Sequence, residues 1–101
     1  MNKKAAEQSE NYIPVKIQTP DSIVWEGRAD SISSENSAGP FDILPMHGNM
    51  ITIIDGKPIE VASAGGTRKF TFEKAVITVR DGAVTIYANI GADGSSIERV
   101  R

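Results

Sequence analysis

Apolar and polar residues alternate with a period of two along nearly all of this chain. Val15, Ile17 and Thr19 alternate with Lys16 and Gln18, which predicts a half-buried strand stopped by Pro20-Asp21. Ile23-Val24-Trp25-Glu26 predicts a second strand, with Gly27 allowing a bend or bulge before residues 28–33. Residues 35–39 have loop composition. Phe41 and Ile43 flank Asp42 with period two, and Pro45 ends that run. Residues 50–54 predict a strand with Ile51 and Ile53 on one face, followed by Asp55-Gly56 as a tight hairpin turn into residues 59–62. Residues 63–67 form another loop, and Phe70 and Phe72 then alternate with Lys69, Thr71 and Glu73. Residues 75–80 and 83–89 are joined by Asp81-Gly82, the strongest hairpin signal in the chain.

No stretch sustains helical periodicity. Some eight to ten short strands at this spacing predict an all-β fold, an antiparallel β-sandwich or flattened barrel. The polar stretch 1–12 is expected to be a disordered tail, residues 13–90 the β-sandwich domain, and the Gly/Ser-rich stretch 91–101 a flexible tail.

Composition narrows the function classes. The chain has 101 residues, 40% hydrophobic and 24% charged, which fits one globular domain with its own core. It has no cysteine, which excludes disulfides, thiolate zinc sites and cysteine nucleophiles. The net charge of −2 lacks the basic excess that phosphate-driven nucleic-acid binding needs. The apolar runs fall far short of the roughly 20 residues that span a bilayer, and the N-terminus has no signal-peptide core. The sequence reads as a soluble protein, monomeric in isolation.

Candidate chemistry is sparse. His47 is the one histidine; without a second ligand or a nucleophile beside it, a turn or interface role outweighs catalysis or metal binding. Gly65-Gly66 is followed by Thr67-Arg68-Lys69-Phe70 entering a strand, whereas a phosphate-binding loop needs Lys-Ser/Thr and a helix. Arg68, Lys69, Lys74 and Arg80 near Phe70 and Phe72 sketch a nucleic-acid face, but alternation makes the phenylalanines core and the cations surface. Trp25 is core or an interface anchor. No catalytic residue, cofactor site or metal site is assigned.

Several segments, taken in order, resemble one family. Residues 15–27, with Thr19-Pro20-Asp21 and Trp25-Glu26-Gly27, look like the opening of the epsilon subunit of rotary (F-type) ATP synthases. Gly39-Pro40-Phe41-Asp42-Ile43-Leu44-Pro45-Met46-His47 is similar to that family's Gly-x-x-Gly-Ile-Leu-Pro-Gly-His segment, and residues 78–88 to its closing hairpin. Asp42 and Met46 replace glycines of the motif, and Lys74-Ala75 replaces a Gly-Gly pair. The sequence stops at Arg101, before the family's pair of C-terminal helices, so it has the form of the N-terminal β-sandwich alone.

The resemblance implies a non-catalytic central-stalk (rotor) subunit of a proton-translocating ATP synthase. Its partners would be the gamma subunit and the membrane c-ring, and it would couple c-ring rotation to ATP synthesis. Phe41, Asp42, Met46, His47 and Gly48 would form or adjoin the partner interface, with Met46 a contact residue at the loop tip. The location implied is peripheral, on the cytoplasmic face of a bacterial plasma membrane. A stand-alone β-sandwich interaction module and a single-stranded nucleic-acid binder are the competing readings.

Overall fold

The structure, a computed structural model, describes residues 11–89. Nine strands occupy them: β1 (Ile13–Gln18), β2 (Ile23–Ala29), β3 (Ser31–Asn36), β4 (Gly39–Ile43), β5 (Met50–Ile54), β6 (Pro58–Ser63), β7 (Gly66–Thr71), β8 (Ala75–Arg80) and β9 (Ala83–Ala88). They form a five-stranded sheet, order β2-β1-β9-β8-β5, and a four-stranded sheet, order β4-β3-β6-β7. The fold is the expected all-β sandwich. The expected tails, residues 1–10 and 90–101, lie outside the described residues. Tyr12, next to the first strand, is half-buried with the Arg28 guanidinium 4.5 Å from its ring centre.

Period two places the core. Ile13, Val15 and Ile17 of β1, Ile77 and Val79 of β8, and Val84, Ile86 and Ala88 of β9 point inward from one sheet. Ile32, Ile43, Ile59 and Val61 answer from the other. Full burial of each isoleucine contributes about 1.5–3 kcal/mol relative to exposure, so the two inner faces hold the sandwich together without staples.

One pairing is parallel, β1 with β9. The purely antiparallel expectation fails there because these strands come from opposite ends of the chain, and no hairpin forces their directions to oppose. The Asp55-Gly56 hairpin is also corrected. β5 pairs with β8, while β6 pairs with β3 and β7, so this turn carries the chain from one sheet to the other. The loops at 35–39 and 63–67 are shorter than composition suggested. Asn36 pairs with Gly39, and Ser63 with Gly66, leaving two-residue connections. Asp81-Gly82 is a two-residue hairpin turn as expected, with φ of 51° and 82°.

Gly27 does not bend β2. The bulge lies on β2 at Ile23-Val24, where Trp25 pairs with Ile17 but Ile23 pairs with Gln18. Gly27 serves a close approach instead: a β-carbon there would stand 2.8 Å and 2.9 Å from two indole atoms of Trp25. The indole lies over the glycine and tilts against Phe70, ring centres 6.2 Å apart.

Candidate functional site

The motif segment is a tight turn. After Ile43 the chain leaves the four-stranded sheet, and the His47 N–H donates to the Leu44 carbonyl at 3.1 Å. Pro45 takes the second turn position, suited to its fixed φ, and Met46 takes the third at φ 71°. That is the pattern of a type II turn, whose third position ordinarily belongs to glycine. The left-handed residue of the turn is Met46, not Gly48. His47 Nδ1 lies 2.8 Å from the Gly48 carbonyl, a hydrogen bond when Nδ1 carries the proton. Asn49 Oδ1 accepts from the Asp81 N–H at 2.8 Å, which ties the segment to the β8–β9 turn.

The five residues expected at the interface do not share one surface. Met46, His47 and Gly48 are together in and just after the turn, with Met46 56% exposed. Phe41 points inward and packs on the core. Asp42 faces out from β4 and accepts a hydrogen bond from Ser33 Oγ at 2.6 Å. Its row continues through the register as Asp42, Ser33, Glu60, Lys69, so this row of the four-stranded sheet's outer face is polar.

The outer face of the five-stranded sheet carries an apolar row instead. Its register aligns Ile53, Val76, Tyr87, Gln18 and Ile23 in one row across all five strands. Ile53 is 56% exposed; Ile51, at 74%, begins the adjacent row, which continues through Thr78, Thr85, Lys16 and Glu26 and is otherwise polar. The β2 bulge sets two residues, Ile23 and Val24, against Gln18, and both are exposed. An exposed apolar row, interrupted only at Gln18, marks a surface suited to being covered.

Sequence reasoning passed over this face. The available signal was β5 itself: Met50, Ile51, Ile53 and Ile54 are apolar at both parities. A strand apolar on both sides requires cover on both sides.

The aromatic cluster near Arg68 is committed internally. Phe70 and Phe72 stack with centres 6.3 Å apart, Arg68 lies 5.6 Å from the Trp25 ring centre, and Lys69 pairs with Glu60 at 3.8 Å. Rings engaged in this way offer no open platform for bases. Among the described residues no group of three His, Cys, Asp or Glu is placed to hold a metal ion. No helix among them is long and apolar enough to cross a membrane. The chemistry of this surface is that of contact.

Residues 12–92 match the family model described as ATP synthase, delta/epsilon chain, beta-sandwich domain. The chloroplastic ATP synthase epsilon chain of Emiliania huxleyi is 30% identical over 84 residues, covering 83% of this chain and 65% of that protein. The ATP synthase epsilon chain of Endomicrobium trichonymphae is 28% identical over 89 residues, covering 88% and 64%. The chain thus spans less than two-thirds of the length of either relative. The fold matches one chain of the Euglena gracilis mitochondrial ATP synthase (OSCP/F1/c-ring) with a TM-score of 0.71 at 18% identity, covering 77% of this chain and 51% of that one. It also matches a chain of the Tetrahymena thermophila mitochondrial ATP synthase central stalk/c-ring with a TM-score of 0.66 at 12% identity, covering 93% and 79%.

Proposed function

The chain belongs to the ATP synthase delta/epsilon family through its β-sandwich domain, and we propose that it works as a non-catalytic central-stalk subunit of a rotary, proton-translocating ATP synthase. Its partners are the gamma subunit and the c-ring, and its place is peripheral, at the cytoplasmic face of a bacterial plasma membrane. The observation that carries the reading is the apolar row from Ile53 to Ile23 on a member of this family. A rotor subunit must hold its neighbour without slipping under torque. An exposed apolar row on a sheet backed by a fully packed core supplies both grip and stiffness.

In this reading the outer face of the five-stranded sheet seats on gamma, and the exposed Leu44 and Met46 of the turn reach the ring or the gamma foot. Phe41 supports the turn from inside. The test is co-expression of the full chain with its cognate gamma subunit and recovery of a one-to-one complex. Ile53→Asp or Met46→Asp weakens that complex by about 1–2 kcal/mol, the scale of one interface side chain, with the melting temperature of the free domain nearly unchanged. Failure to recover any complex with the unaltered chain overturns the proposal.

A further inference from the structure

Four strands lie at sheet edges: β2 and β5 in one sheet, β4 and β7 in the other. An open edge presents unpaired N–H and C=O groups, and sheets protect such edges with charges, prolines or bulges. β2 carries Glu26, Arg28 and its bulge; β4 carries Pro40 and Asp42; β7 carries Arg68 and Lys69. β5 reads Met50-Ile51-Thr52-Ile53-Ile54 and carries none of these devices. Among the described residues no strand pairs with its outer side. Its facing is fixed from within, because the Thr52 hydroxyl accepts from Asn36 Nδ2 at 2.9 Å and Ile54 is buried.

We propose that β5 pairs antiparallel with β5 of a second copy of this chain, about a two-fold axis at Thr52. The strand is self-complementary in that register. Thr52 stands opposite itself, and Ile51 opposite the partner's Ile53, twice by symmetry. Both isoleucine pairs fall on the outer face, where cross-strand apolar pairs stabilise a sheet. Charge agrees as well. The same register sets Asp55 opposite the partner's Asn49. Continuing the β5–β8 pairing by one residue brings Arg80 beside Asn49. Each Asp55 therefore approaches the partner's Arg80, and neither residue has an ion pair among the described residues. No like charge opposes the pairing along β5.

A five-residue edge contact buries less than the roughly 1,200–2,000 Å² of a stable interface, so the dimer is reversible and weak. It departs from the monomer expected from the sequence. The proposal is independent of the stalk role, because its test uses this protein alone.

Sedimentation velocity of the full chain from about 10 µM to 1 mM spans the range expected of a weak contact. It should show monomer converting to dimer and nothing larger. Ile51→Lys raises the dissociation constant at least tenfold while the melting temperature holds, since Ile51 is the most exposed of the large apolar side chains. The chain has no cysteine, so a mixture of Ile51→Cys and Ile53→Cys proteins should oxidise to a mixed disulfide dimer much faster than either variant alone. Monomer throughout, association insensitive to Ile51→Lys, growth beyond dimers, or equal cross-linking of the single variants would each overturn the proposal.

Discussion

Met46 offers the sharpest check on the turn geometry, because its backbone and its side chain make separable contributions. At φ 71° an L-residue carries about 1–2 kcal/mol of steric cost that glycine does not. Glycine returns about 0.4–1 kcal/mol of that through its extra freedom in the unfolded chain. Met46→Ala keeps the strained backbone and loses most of the side chain; Met46→Gly loses the side chain and the strain together. The side-chain losses nearly cancel between the two variants. The glycine variant should therefore be the more stable by about 0.5–1 kcal/mol, or roughly 3–6 °C in a domain this size.

Thermal and urea denaturation of the full-length chain measure the difference directly. The parent is the second reference. With Met46 more than half exposed, its burial is worth only about 1 kcal/mol, so Met46→Gly should melt close to the parent. An alanine variant as stable as the glycine variant would refute the left-handed turn. If Met46→Gly melts like the parent yet binds gamma less well, the thioether is kept for contact at the expense of backbone strain.

Two further outcomes follow from packing. Gly27→Ala pushes the Trp25 indole off its seat against Phe70 and costs about 1–3 kcal/mol; since Trp25 is the one tryptophan, its fluorescence emission should shift to the red with the fall in melting temperature. Ile77→Ala, at a fully buried position on β8, should cost about 2–5 kcal/mol in urea unfolding, and a loss under 1 kcal/mol would place the core elsewhere.

The strands were legible because local chemistry decides them. Thr19-Pro20-Asp21 reads as a stop, and in the fold the Thr19 hydroxyl accepts from the Asp21 and Ser22 N–H groups. Asp81-Gly82 reads as a hairpin and is one. Asp55-Gly56 carries nearly the same signal but joins two sheets, because a turn dipeptide specifies local reversal and not which strand pairs with which. Gly27 was legible as special but not in its cause, since the indole above it comes from two residues earlier on the same strand. Of the site, the turn through Met46 was legible from its motif. The sheet face was not: alternation says that two sides differ, but only the register brings Ile53, Val76, Tyr87 and Ile23 into one row.

That row gives the molecule its asymmetry. Both sheets share one core, and burial inside makes no distinction between them. Outside, one register row reads Asp42, Ser33, Glu60, Lys69 and the other Ile53, Val76, Tyr87, Gln18, Ile23. Three places where the chain breaks local rules fall on the apolar side or on the turn leading to it. These are the left-handed Met46, the bulge that exposes Ile23 and Val24, and a β5 edge without a charge. Rules broken together in one region point to a surface shaped by what it touches. For the proposed stalk role, a sandwich so divided docks by its apolar row and leaves the other sheet to solvent.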